Sequence, residues 1–208
     1  VREDPRYSAL LFAGTEFGVF ASMDGGAHWV RFMNGLPTVR TDDILVHPRD
    51  ADLIVATHGR SVWIADDISA LEQFTPEVAA SDAYLFQPRE AVAWVNDLSN
   101  ASPAYGDRAF SGENAPAGPA ISYYLRSAVP GDVRITVTDS AGRSVAAAIG
   151  PNTGGIHKLL WSQLAADGAR GRTPRGPGPG SYTVRLTVGG RQYDRTLDVL
   201  PDRWFVAP

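Results

Sequence analysis

The apolar positions of this chain fall into short runs separated by Gly, Pro, Asn and Asp, and most runs carry the two-residue period of a strand. In the first third the runs are Leu10–Thr15, Val19–Ser22, Asp43–Val46, Leu53–Thr57 and Val62–Ala65, with Pro48 closing the third. Asn34-Gly35-Leu36-Pro37 reads as a loop between them. Asp66–Gln73 reads as one or two helical turns with Asp67 or Ser69 as N-cap, and Ala83–Phe86 as a short strand. Residues 96–119, rich in Asn, Ser, Gly and Pro, read as a long loop. Beyond it, Ile121–Leu125 alternates, and Asp132–Asp139 puts Val133, Ile135 and Val137 on one face. Asp139–Arg143 is a turn, and His157–Trp161 is a further strand. Ser181–Val188 and Gln192–Val199 flank Gly189-Gly190-Arg191 as a hairpin. The class this predicts is all-β.

Two stretches of the first third repeat. Leu11-Phe12-Ala13-Gly14-Thr15 followed by Val19-Phe20 matches Leu53-Ile54-Val55-Ala56-Thr57 followed by Val62-Trp63, with one residue inserted in the second turn. The spacing, about 42 residues, is that of a four-stranded repeat unit. After the first copy comes Ser22-Met23-Asp24-Gly25-Gly26-Ala27-His28-Trp29. Gly25 and Gly26 can take positive φ in a tight turn. The Asp24 carboxylate and Ser22 hydroxyl can accept from the turn's own N–H groups, and Trp29 can open the next strand and lay its ring across the hairpin. A carboxylate committed to holding a turn is not free for acid–base work, so Ser22, Asp24, Gly26 and Trp29 are assigned a structural role.

The S-x-D-x-G-x-x-W pattern after an apolar strand resembles the Asp-box of bacterial neuraminidase repeats. LFAGTEFGVFASMDGGAHW and ATHGRSVWIADDIS are similar to the last blades of bacterial sortilin-like β-propeller proteins. Leu85–Arg89 and Phe110–Gly118 resemble the connector of that family. The order of strands and turns after residue 118 resembles the immunoglobulin-like domain of flagellar hook-capping proteins. Ser162–Gly168 and the long Gly168–Gly180 loop depart from it. The resemblance implies two partial propeller blades over residues 1–75, a connector over 76–117 and an immunoglobulin-like β-sandwich over 118–208. Two blades cannot close a ring that needs roughly four to eight. The expected partners are therefore the remaining blades, on another polypeptide or a preceding part of this one, in a larger extracytoplasmic, periplasmic or secreted, assembly. In such an assembly apolar contacts are expected along residues 7–20 and 53–64.

Composition narrows the functional classes. Of 208 residues, 44% are apolar, enough for a core, and the net charge of −4 provides no footprint for nucleic acid. The absence of cysteine excludes disulfides, thiolate metal sites and cysteine nucleophiles. No apolar run is long enough to span a membrane as a helix. His28, His47, His58 and His157 show no metal-ligand spacing, and neither a G-x-S-x-G elbow nor a P-loop is present. No metal, cofactor or catalytic residue is expected. Asn100-Ala101-Ser102 is a formal glycosylation sequon.

One constellation remains as a candidate ligand site. The repeat places Glu16 and His58 at equivalent turns, with Arg60 beside His58. A carboxylate, an imidazole and a guanidinium at one rim could hold an anion or a glycan, or could bond neighbouring repeats together. Asp42, Asp43, Asp66 and Asp67 raise the alternative of a sialidase- or xyloglucanase-like glycoside hydrolase, which commonly needs two carboxylates facing across a cleft. Adjacent residues of a strand point to opposite faces, so neither pair faces itself. The leading expectation is a non-enzymatic binding or assembly module.

Overall fold

The computed structural model describes residues 1–95, 116, 118–164 and 176–204. The described chain is nearly all β, and it divides into two compact units. The first comprises Val1–Phe86 with Tyr123–Ser127 and Gly154–Ile156; the second comprises Gln87–Ser122, Ala128–Thr153 and His157–Pro208.

The first unit opens with two antiparallel sheets. Sheet one runs β1 (Arg2–Glu3), β2 (Leu11–Thr15), β3 (Gly18–Ser22) and β4 (Val30–Arg31), in that spatial order. Sheet two runs β5 (Thr41–Val46), β6 (Leu53–Thr57) and β7 (Val62–Ala65). Alternation decides what each strand buries. Phe12, Val19 and Ala21 on one face of sheet one share a cluster with Ile44, Val46, Leu53 and Val55 on one face of sheet two. Leu10, Ala51 and Ile68 complete this core, and Phe12 meets Phe32 edge-to-face at 6.0 Å.

The registers show how closely the two sheets repeat. Phe12 lies opposite Ala21 and Gly14 opposite Val19; in sheet two, Ile54 lies opposite Ile64 and Ala56 opposite Val62. Four cross-strand pairs of the first hairpin thus map onto the four of the second. Thr15 Oγ1 donates to the Gly18 carbonyl at 3.0 Å, and Thr57 Oγ1 to the Ser61 carbonyl at 2.6 Å, so the turns are tied alike. The likeness extends further back than the sequence repeat. Arg2 pairs Phe12 as Leu45 pairs Ile54, and Glu3 pairs Leu11 as Val46 pairs Leu53. The next residues, Asp4-Pro5-Arg6 and His47-Pro48-Arg49, turn the chain in the same way. The Asp4 N–H donates to Leu10 O at 2.9 Å and the His47 N–H to Asp52 O at 2.8 Å.

Among the described residues, sheet two has no counterpart of β4. After β7 the chain enters α1 (Ser69–Glu72) and α2 (Pro76–Ala80). The expected N-cap of α1 is corrected: Ile68 holds that position without a side-chain bond. Asp67 sits one residue earlier, accepting from the Ser69 N–H at 3.2 Å and the Ser69 hydroxyl at 2.5 Å. Helix α2 carries Pro76 in its first turn and Thr75 as N-cap, accepting from the Val78 N–H at 3.4 Å.

Strands β8 (Ala83–Leu85), β9 (Ala91–Ala93) and β10 (Ala120–Leu125) follow, the first two inside the stretch read as connector. Within the first unit, Ala83–Leu85 pairs antiparallel with Tyr123–Leu125, beside a second small core of Ala70, Val78 and Phe86. Phe74 meets Tyr124 edge-to-face at 5.1 Å in the same place.

The second unit is built on a five-stranded sheet. Its strands are β11 (Val133–Thr138), β12 (Ser144–Gly150), β14 (Gly180–Val188) and β15 (Arg191–Pro201), with β9, in the order β12-β11-β14-β15-β9; β13 (Gly155–Leu160) lies outside that sheet. Only β9 runs parallel to its neighbour. Val133, Ile135 and Val137 are fully buried, as are Val184, Leu186 and Leu197 on the neighbouring strands. Ile121, Leu159, Trp161 and Leu164 of this unit are buried outside that sheet, as a sandwich requires of a sheet covered on one face. Gly189 and Gly190 take φ of 54° and 82°, the two positive values of a tight hairpin turn. The Asp139 carboxylate closes the other turn, accepting from the N–H groups of Ala141 and Arg143 at 2.9 Å each. The sequon Asn100-Ala101-Ser102 lies outside the described residues.

Candidate functional site

The structural and ligand-site residues assigned from the sequence lie in the first unit, in two places. The first is the turn between β3 and β4. Ser22 ends β3 almost fully buried, and Gly25 and Gly26 take φ of 71° and 96°. The Ser22 hydroxyl donates to Asp24 Oδ1 at 2.8 Å and accepts from the Gly26 N–H at 2.9 Å. The same Asp24 oxygen accepts from the His28 N–H at 2.9 Å, and Asp24 Oδ2 lies 2.6 Å from His28 Nδ1. The Gly25 N–H donates to Ala9 O at 2.9 Å, tying the turn to the loop that leads into β2. Trp29 Nε1 donates to Gly26 O at 3.0 Å, and regular strand begins one residue later, at Val30.

Both oxygens of Asp24 are engaged. The His28 backbone N–H, then the His28 ring and the Ser22 hydroxyl, hold its carboxyl at about 2. A group that remains ionised down to that pH, with its lone pairs already taken, is a fastener rather than a proton donor.

The second place is the pair of hairpin tips. Gly14 abuts Thr41, and Thr41 pairs with Thr57, so the β2–β3 and β6–β7 turns lie at the same end of the two sheets. Glu16 and Phe17 form the first tip, both exposed, with the Phe17 N–H on Thr15 Oγ1 at 3.1 Å. At the second tip Gly59 and Ser61 take φ of 77° and 64°. His58 does not turn toward Glu16. Its N–H donates to Arg40 O at 2.9 Å, and its Nδ1 lies 3.3 Å from Asp42 Oδ2. Asp42 also pairs with Arg40 Nε at 2.8 Å. The Arg60 carbonyl accepts from Trp63 Nε1 at 2.8 Å. Among the described residues, no hydrogen bond or ion pair joins Glu16 to His58 or Arg60.

Arg40 and Asp42 are therefore the partners that sequence reading missed for His58. They precede it by 18 and 16 positions, and only the pairing of β5 with β6 brings them alongside. A register shift between Thr41 and Asp43 bulges the strand at Asp42. Next to them is a polar cleft of about 210 Å³ lined by Val1, Arg2, Gly14, Thr41, Asp42, Asp43 and Ile44. Asp43 is engaged as well: Oδ1 accepts from Arg2 Nη2 and from the Ile44 N–H, both at 2.9 Å, and these bonds lower its carboxyl below the usual range. A cleft of that size is smaller than the ~300–1,000 Å³ typical of small-molecule sites. Among the described residues, no group of three His, Asp or Glu is placed to hold a metal ion.

The largest irregularity of the first unit is apolar. On the face of sheet two turned away from the core, Leu45, Ile54 and Ile64 lie side by side across the three strands, with Ala56 and Val62 next to them. Leu45, Val62 and Ile64 are 54%, 56% and 56% exposed. Lone exposed aliphatics are ordinary, but a cross-strand row on one face is a mark of an interaction surface. On the opposite side a small cavity of about 50 Å³ separates Val19, Phe32 and Leu36 from Leu53, Val55 and Trp63.

No family model matches the chain, and no curated protein matches it. Among solved structures it is similar to PorZ, an essential bacterial surface component of the type-IX secretion system of Porphyromonas gingivalis. The identity is 15% over 92% of this chain, which spans 29% of PorZ, and the TM-score is 0.30. At that TM-score the likeness carries no argument about this chain.

Proposed function

We propose that this chain is a non-enzymatic binding and assembly module. In this reading it is the C-terminal portion of an exported, sortilin-like Asp-box β-propeller protein. Sheets one and two are successive blades, and further blades come from another polypeptide or a preceding part of the same one. The observation that carries the reading is the aliphatic row Leu45–Ile54–Ile64 with Val62, open on a sheet whose other face buries Ile44, Val46, Leu53 and Val55. The Ser22–Trp29 turn supports the Asp-box assignment through its bonds, and its carboxylate serves the fold. No helix among the described residues is long and apolar enough to cross a membrane.

Native mass spectrometry of the protein as isolated, beside a denaturing run, tests this. The expected result is an assembly heavier than 22.3 kDa that separates on denaturation, or a single polypeptide longer than this chain. A lone 22.3 kDa chain under both conditions would overturn the reading. The glycoside hydrolase alternative draws on the cleft beside Asp42 and on Glu16, His58 and Arg60. Hydrolysis of a glycan panel that is lost in a Glu16→Gln/His58→Ala variant would replace the present proposal.

A further inference from the structure

The internal repeat states what should cover the open face of sheet two. By the paired registers, Phe12, Gly14, Val19 and Ala21 of sheet one correspond to Ile54, Ala56, Val62 and Ile64 of sheet two. The first set is the face of sheet one that packs on sheet two, where Phe12, Val19 and Ala21 are 0%, 0% and 2% exposed. The second set is the open aliphatic face. The same face of the repeat is thus buried in one copy and exposed in the next.

The covering surface has a repeat counterpart too. Val19 is covered by Leu53, Val55 and Trp63 of sheet two, which line the same small cavity. Their counterparts in sheet one are Leu11, Ala13 and Phe20, on the face of that sheet directed away from the core. These three are only partly buried, and Val1 beside them, the counterpart of Ile44, is 81% exposed. One chain therefore carries both halves of a second contact of the type it already makes internally, and cannot join them to each other.

We propose that a second copy of this chain docks by its Leu11–Ala13–Phe20 face onto the Ile54–Val62–Ile64 face, head to tail. This rests on the assembly reading above and names the partner. Such a contact is heterologous: each copy uses one face to give and the other to receive, so copies propagate until a ring closes. With two sheets per chain, roughly three or four copies would reach the six or eight sheets within the range of closed propellers. One position differs from the internal contact: Ala56 carries a methyl where Gly14 has none.

The absence of cysteine makes the contact directly testable. A Val62→Cys chain is mixed with an Ala13→Cys chain under mild oxidation, because Val62 and Ala13 correspond to Val19 and Val55. Sedimentation velocity of the unmodified chain at up to about 100 μM, enough to populate a complex of micromolar Kd, runs beside it. We expect the mixed 62–13 disulfide and concentration-dependent oligomers. A Val62→Lys/Ile64→Lys variant should lose the oligomers while keeping its thermal midpoint, since both side chains are more than half exposed. A monomer throughout the range, oligomers that survive the double substitution, or a disulfide only between two Val62→Cys chains would each overturn the proposal. The two readings fail separately. A heavier native assembly made with a different polypeptide would retain the assembly function and reject the second copy as partner, whereas a lone chain would reject both.

Discussion

Gly14 sets the distance between the two sheets of the first unit, and a single methyl there tests the packing. A Cβ built on Gly14 would lie 2.7 Å from Thr41 Cγ2, 3.0 Å from Thr41 Cβ and 3.3 Å from Ile44 Cδ1. Contacts under 3 Å are not sustained, so β2 or β5 must shift. Thr41 cannot simply swing aside, because it is β-branched, buried and paired with Thr57. Overpacking of this kind costs about 1–3 kcal/mol. Replacing glycine by alanine also removes unfolded-state entropy, which returns about 0.4–1 kcal/mol. The expected net effect of Gly14→Ala is a loss of about 1–2 kcal/mol. It is best read by hydrogen exchange on peptides covering β2 and β3, since that isolates the first unit from the second. Thr41→Ala removes the crowding methyl, so the double variant should be more stable than the sum of the two single changes, by about 1 kcal/mol. The control is Ala56→Gly, at the repeat position on the open face, where only the entropic loss of about 0.5–1 kcal/mol is expected. A Gly14→Ala chain as protected as the parent, or a double variant showing no coupling, would refute the reasoning.

Three further outcomes follow from the bonds described. Ser22→Ala leaves the Gly26 N–H and one Asp24 contact unmade in a part-buried turn, and should cost about 1 kcal/mol by hydrogen exchange across residues 22–29. The Asp24 carboxyl, lowered from 3.8 to about 2, stabilises the turn fully above pH 3.8 and loses this as pH falls through about 2. A carbon-detected NMR titration should find its midpoint near the lower value, and a midpoint at 3.8 would contradict the bonding. Glu72 is raised by burial and by nearby Asp4, with Arg6 offsetting only part. Its contribution is therefore fully present below 4.5 and lost as pH rises through the raised folded value. Glu72→Gln should flatten the decline in stability from pH 4.5 to 7 in urea titrations, and an unchanged slope would count against it.

Much of the strand content was legible in the sequence because alternation is a local property. Leu11–Thr15, Gly18–Ser22, Leu53–Thr57 and the two strands around Gly189–Gly190 lie where period and turn residues placed them. The Ser22–Trp29 turn was legible for the same reason: the bonds of its Ser22 and Asp24 side chains span at most four residues, so spacing alone specifies them. β1 and β9 were not legible, and β4 was legible only as the strand expected to open after Trp29. Two or three residues hold no period, and they are strands only because a partner lies beside them. β12, with three consecutive alanines, has weak strand propensity and is held by pairing to β11. Helix α2 was missed despite the Thr75-Pro76 signature at its start.

At the candidate site the division is sharper. The sequence by itself determined that two hairpins repeat and that Glu16 and His58 occupy equivalent turns. It also determined that Asp24 sits among groups able to saturate it. Tertiary structure alone decided that His58 belongs to Asp42 and Arg40 while Glu16 stays apart, since that depends on the register and bulge of β5 against β6. It decided, too, which copy of the repeated face is buried. Phe12 and Ile54 occupy the same repeat position, yet one is enclosed and the other lies on an open sheet. The physical reason is that a residue's pattern specifies which side of its strand it takes, whereas burial requires a second surface to be present on that side.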